Sequence, residues 1–212
     1  MFRVYYTPYT IFMDDRDEKL KIIRDEVLRL TISPLYAYRC DNNYVPVIGQ
    51  GNHHAAIMFI GEAPGKNEAQ QGRPFCGAAG KILDQLLASV HIKREDVYIT
   101  NIVKDRPPQN RDPEPAEIKL YGPFLDRQIA IIQPRVIVTL GRFSMVYLMN
   151  RYGLDTLKPI GQLHGTVQKP HPLENETYAP IIIPLYHPAA ALYNGVTKEI
   201  LFKDFQQLQS FI

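Results

Sequence analysis

The sequence has few cysteines, little net charge and no long apolar run. Only Cys40 and Cys76 occur. Two thiols build neither a disulfide framework nor a four-ligand metal site, so no metal is expected. Such sparse use of cysteine points to a reducing, intracellular (cytoplasmic) compartment. No window holds the roughly 18 apolar residues needed to span a bilayer, and no membrane partner is expected. The opening residues, Met1-Phe2-Arg3-Val4-Tyr5-Tyr6, lack the layout of a signal peptide. Internal repeats and low-complexity segments are absent as well. A net charge of +2 permits a local basic groove for nucleic acid without requiring one.

What remains is a chain of 212 residues, 45% of them hydrophobic, enough to bury a core unaided. One domain over 1–212 is expected, with 1–30 as an N-terminal helical segment. Leu20, Ile23, Val27 and Leu30 recur at helical spacing after Asp14 and Asp15. Tyr5, Tyr6 and Tyr9 are expected to pack against that helix, and an irregular stretch runs from Thr31 to Gly51. Short apolar runs at Ala55–Ile60, Val97–Val103, Val136–Leu140 and Ile181–Leu185 read as strands. Between them, Ala78–Val90, Ala116–Gln133 (bent at Gly122-Pro123) and Gly141–Met149 read as helices, and Thr197–Phe211 as a last one. This alternation predicts an α/β fold of three layers, α/β/α, around a central parallel sheet of four strands. Ligands of such sheets bind beyond the carboxyl ends of the strands, which singles out the loops at Gly61, Lys104, Gly141 and Tyr186.

Three of those loops hold unusual residues. Gly61-Glu62-Ala63-Pro64-Gly65 can present backbone N–H groups to a phosphate or a base edge, or be an ordinary turn. Glu62 can hold a water or be solvated. Phe75, in Gly72-Arg73-Pro74-Phe75-Cys76-Gly77, suits stacking on a planar ligand or plugging the core. Asn101 ends the second strand and offers a donor and an acceptor together, fit either to read a polar edge or to tie down a loop. Arg106-Pro107-Pro108-Gln109-Asn110-Arg111 sets two arginines around a stiff turn, suited to phosphate contact or to solvent. His187 follows the last strand, and the small residues after it lead to Leu192 and Tyr193, which can wedge into a base stack. His53-His54 read as solvated, and His164 and His171 have no assigned role.

Together, in this order, these motifs resemble the family 4 uracil-DNA glycosylases from about Leu30 onward. The resemblance implies a uracil-DNA glycosylase of base excision repair, a hydrolase of N-glycosyl bonds. Its substrate would be uracil-containing DNA, single- or double-stranded, and it would act as a monomer. Phe75 would stack on a flipped uracil, with Gly61, Ala63 and Gly65 around it, and Asn101 would read the polar edge. His187 would stabilise the leaving anion, and Glu62 and Asn110 would position water. Arg106, Arg111, Ala190, Leu192 and Tyr193 would meet the DNA. Other members of the superfamily carry an Asp where Ala63 stands, so strong general-base catalysis is not expected there.

The chain departs from the family in one respect. Members usually hold an iron–sulfur cluster on four cysteines, whose positions here carry Leu30, Ser33, Asp105 and Leu120. A cluster needs thiolates, so none is expected, with apolar packing and an Asp105 ion pair in its place. Two alternatives stand beside the enzyme. One is a glycosylase-fold module that binds DNA with little activity, and the other a glycosylase for hypoxanthine or other deaminated bases.

Overall fold

The central strands are short and mostly apolar because both of their faces are covered. The computed structural model describes residues 14–172 and 178–211. Tyr5, Tyr6 and Tyr9 lie outside the described residues. The sheet contains β1 (Gln50–Gly51), β2 (Ile57–Gly61), β3 (Tyr98–Asn101), β4 (Val136–Leu140) and β5 (Ile181–Leu185), in the order β1-β3-β2-β4-β5. Strands β2 to β5 are mutually parallel, as expected. A fifth strand, β1, pairs antiparallel with the edge of β3. Its two residues are exposed and polar or glycine, so no apolar pattern announced it. Gly51 fits there because a Cβ would lie 1.9 Å from the Val97 carbonyl oxygen.

Eight α-helices flank the sheet among the described residues: α1 (Arg16–Leu28), α2 (Tyr36–Asp41), α3 (Lys66–Gln71), α4 (Ala78–Ser89), α5 (Pro115–Ile132), α6 (Arg142–Arg151), α7 (Ile160–Leu163) and α8 (Gly195–Phe205). Alternate strand residues face opposite layers. Phe59, Val138 and Ile183 meet Leu83 and Leu87 of α4 and Leu201 and Phe205 of α8. On the other face Met58, Ile60, Ile137 and Ile182 meet α1, Leu125 and Ile129 of α5, and Leu148 of α6. Burying one such side chain contributes about 1.5–3 kcal/mol, so the two layers together hold the sheet.

Three short helices, α2, α3 and α7, occupy stretches expected to be irregular, because four to six residues carry too little periodicity to be read. Helix α5 runs unbroken through Pro123. The C-terminal helix starts at Gly195, two residues before the expected Thr197, and tightens to a 3-10 helix over Gln206–Phe211. His53 is not simply solvated, since its Nδ1 lies 2.5 Å from Asp17 at the start of α1. His54 is likewise paired, its Nε2 2.5 Å from Asp14.

A buried polar network occupies the corner formed by α1, α2 and α5. Arg39 of α2 is 6% exposed and Asp105 is 1% exposed, and their closest approach is 3.2 Å. The guanidinium also donates to the Val27 and Leu28 carbonyls at the end of α1. The Tyr121 hydroxyl donates to Asp105 at 2.6 Å and lies 2.7 Å from Ser33 Oγ. Leu30 and Leu120 pack against the adjoining core. Burial raises the Asp105 carboxyl above its usual range, opposed by Tyr121 and Arg39. Leu30, Ser33, Asp105 and Leu120 supply no thiolate, and two of them are committed to this network, so the corner does not fit an iron–sulfur cluster. Arg39→Met should destabilise the fold by about 3–5 kcal/mol, because it strands a buried carboxylate, and Arg39→Met with Asp105→Leu should recover most of that. Urea denaturation of both variants measures the difference.

Candidate active site

The residues with unusual chemistry gather where the parallel strands end. Gly61 and Asn101 are register partners at the ends of β2 and β3. Backbone pairing continues past them, with Ile102 N–H donating to the Gly61 carbonyl and Val103 N–H to that of Glu62. Asn101 is 2% exposed, and among the described residues its side-chain amide forms no hydrogen bond. The amide borders the strand-end cavity, where a ligand can reach it. A Cβ on Gly61 would lie 2.3 Å from Asn101 Oδ1 and 2.8 Å from Phe75 Cζ. Glycine is therefore what lets the amide and the ring approach each other.

Lys104 anchors Asn101 from behind. Its fully buried ammonium donates to the Asn101 carbonyl (2.7 Å), Thr100 Oγ1 (2.9 Å) and Gln128 Oε1 (2.6 Å). Thr100 Oγ1 spends its own proton on the Ile48 carbonyl, so all three Lys104 protons are in use. Burial lowers the Lys104 pKa to about 7, and the three acceptors favour the charged form.

Phe75 sits in the left-handed region, with φ +48°. Glu68 of α3 holds that turn, accepting from the N–H groups of Cys76 (3.0 Å) and Gly77 (2.7 Å) on one carboxylate oxygen. Gly80 lets α4 pack against the turn, since a Cβ there would come within 1.8 Å of the Phe75 carbonyl. Glu68 was missed in the sequence. Its only signal was an acidic residue three positions after Gly65, the spacing of a helix start.

His187 lies 5.6 Å from Phe75 between ring centroids, tilted by 31°. Its Nδ1 accepts the Ala189 N–H at 3.1 Å. A backbone N–H can only donate, so Nδ1 carries no proton and Nε2 carries one. Burial lowers the His187 pKa to about 4, partly opposed by Glu68, and the ring is neutral at physiological pH. Gly141, at φ +100°, passes beside it, where a Cβ would meet His187 Cβ at 3.3 Å.

The Pro107-Pro108 turn carries Gln109 and Asn110 at φ +56° and +55°. Neither flanking arginine is free. Arg106 donates to Asn110 Oδ1 and to Tyr44, while Arg111 forms a two-bond pair with the buried Glu117 of α5. The expectation that both serve DNA phosphates thus meets guanidiniums already held by protein.

A cavity of about 330 Å³ unites these groups, a size typical of small-molecule sites. Glu62, Ala63, Gly65, Phe75, Asn101 and His187 line it, and Asn110 and Arg111 close one side. Gly61 shapes it from below, and Glu68 contributes to its wall. Burial and the nearby Asp112 raise the Glu62 pKa to about 7, against a lowering by Arg142. Arg106 and Ala190 lie outside the lining, as do Leu192 and Tyr193, which are 40% and 90% exposed. His164 pairs with Asp204 at 2.7 Å, away from the cavity lining. Gly61→Ala should lower kcat/KM about 10- to 100-fold by displacing Asn101 and Phe75, with thermal stability changed far less. Steady-state kinetics and a melting curve on the same preparation check this.

Residues 48–208 match the family model of the uracil DNA glycosylase superfamily. The chain is 45% identical to the type-4 uracil-DNA glycosylase of Sulfurisphaera tokodaii, over 91% of this chain and 84% of that protein. The type-4 enzyme of Archaeoglobus fulgidus is 43% identical, over 87% and 90% of the two chains. That of Thermotoga maritima is 37% identical, over 94% and 98%. With its strand-end cavity and these likenesses over most of its length, the chain belongs to the uracil-DNA glycosylase superfamily.

Proposed function

We propose that this protein excises uracil from DNA, hydrolysing the N-glycosidic bond and leaving an abasic site. One observation carries the proposal: an unpaired amide, an aromatic ring and a neutral Nε2–H imidazole face one cavity. Phe75 stacks on a base flipped out of the duplex. The Asn101 amide accepts from uracil N3–H and donates to O4. His187 donates its Nε2 proton to O2.

Breaking the C1′–N1 bond sends its electron pair to uracil and leaves positive character on the sugar. A fixed donor on O2 stabilises that developing anion in a site shielded from water, usually the largest electrostatic contribution to such a step. A neutral imidazole suffices, since the donor is already oriented by the Ala189 N–H. Water completes the reaction at C1′. Glu62 is the acceptor for its proton, and Asn110 holds it by donation. Ala63 supplies no carboxylate, so the departing anion, rather than base strength, carries most of the catalysis.

DNA is the partner, with Tyr193 and Leu192 entering the stack and Ala190 lying against the backbone. Flipping is cheapest from mismatches and single strands, so uracil opposite guanine and uracil in single strands are the preferred substrates. The enzyme acts as an intracellular monomer of one domain and without an iron–sulfur cluster. Supporting the last point are Leu30, Ser33, Asp105 and Leu120 and the ion pair that Asp105 makes with Arg39. Among the described residues no helix is long and apolar enough to cross a membrane.

His187→Ala should lower excision from a uracil oligonucleotide about 100- to 1,000-fold, and Glu62→Ala far less. Alkali cleavage of the abasic product measures both, and near-wild-type turnover of His187→Ala refutes its role. The pH profile follows from the same groups. The Glu62 carboxylate is lost as pH falls through about 7, so kcat/KM should drop on the acid side with a midpoint near there. His187 stays neutral down to about pH 4 and adds no limb above that. In Glu62→Gln the limb near neutrality should vanish. A limb that persists in the variant assigns it to another group.

A further inference from the structure

Arg106 stands in the loop where sequence suggests phosphate contact, but its hydrogen bonds point inward. Its Nε donates to Asn110 Oδ1 at 2.8 Å. One terminal nitrogen donates to Tyr44 Oη at 2.7 Å and approaches Tyr38 Oη at 3.3 Å. The guanidinium carbon lies 5.3 Å from the centre of the Tyr44 ring, and the Tyr38 and Tyr44 rings meet edge-on at 6.0 Å. The guanidinium is therefore fixed on two sides before it reaches Asn110.

This contact determines which end of the Asn110 amide faces the cavity. Arginine has five donors and no acceptor, so only the amide oxygen can meet Nε–H. The NH₂ group is left for the cavity that Asn110 lines. Two successive residues there, Gln109 and Asn110, sit in the left-handed region. Asn110 thus offers donors only, able to hold a water by its oxygen and unable to take its proton.

We propose that Arg106 is a positioning residue that orients Asn110 through the Nε–Oδ1 bond, and that it is not a DNA-phosphate contact. The support reaches back into the fold. Consecutive residues of α2, Tyr38 and Arg39, engage consecutive residues of the loop, Arg106 and Asp105. The buried corner that holds Asp105 therefore also anchors the strand of loop that carries Arg106. The proposal rests on the assignment of Asn110 to water positioning.

The test compares Arg106→Lys, Arg106→Met, Asn110→Ala and Arg106→Lys in the Asn110→Ala background, in single-turnover excision from a uracil oligonucleotide. DNA affinity is measured at several salt concentrations. A lysine keeps the charge that a phosphate needs but loses the fixed Nε–H. Arg106→Lys and Arg106→Met should both slow excision about 10- to 100-fold, with the salt slope of DNA binding unchanged. In the Asn110→Ala background the lysine change should cost nothing more. Full activity of Arg106→Lys, or a salt slope about one unit shallower in Arg106→Met, overturns the proposal in favour of a phosphate contact. A further loss in the Asn110→Ala background overturns the coupling. Wild-type activity of Asn110→Ala refutes the water-positioning assignment, and a slow Arg106→Lys beside it overturns the coupling, because Arg106 then acts by a route that omits Asn110. If Arg106→Met does not fold, Tyr44→Phe replaces it: this variant removes one tether and should slow excision in the same way, and an unchanged rate counts against the proposal.

Discussion

The site depends on one close approach at the ends of two neighbouring strands. Gly61 and Asn101 face each other in register, and the missing side chain on Gly61 leaves space for both the Asn101 amide and the Phe75 ring. Parallel pairing places the two residues at the same height, at the carboxyl edge where such sheets bind ligands. The Asn101 carbonyl is held from behind by a lysine that spends all its protons on neutral acceptors.

Polar contacts below the surface hold the loops rather than the ligand. Glu68 holds the amides that follow Phe75, the Ala189 N–H selects the His187 tautomer, and Glu117 pins Arg111. Each commits a donor or acceptor inside the protein, so that what remains unpaired faces the cavity. Preorganisation of this kind spares the protein from reorganising as charge develops on the leaving base. The same logic holds for Arg106 and Arg111, whose guanidiniums are paired within the protein.

The corner at α1, α2 and α5 has a similar logic. A buried arginine and aspartate cost solvation, and the carbonyls of α1 and the Tyr121 hydroxyl offset that cost. The corner bears on function because Asp105 and Arg106 are adjacent and grip adjacent residues of α2. A rigid corner therefore gives a fixed loop, and the loop carries Asn110.

Much of this was legible in the sequence. The apolar runs of β2, β4 and β5 announce buried parallel strands, and the helical spacing of Ile82, Leu83, Leu86 and Leu87 marks α4. Asn101 ends β3, His187 follows β5 and Phe75 lies between α3 and α4, and the cavity brings together the three residues that the motifs singled out. The ion pair of Asp105 was foreseen, but its partner, Arg39, was not. Residue type and spacing determined the layers and the strand ends, because periodicity and chain order are local properties, while the roles of the loop residues came from the family resemblance. Only the tertiary structure decided the β1 edge, the clamp by Glu68, the tautomer of His187 and the inward turn of Arg106. Those depend on which donor meets which acceptor once the chain is folded, whether neighbours as at His187 and Ala189 or distant as at Arg106 and Tyr44, and apolar periodicity does not encode that.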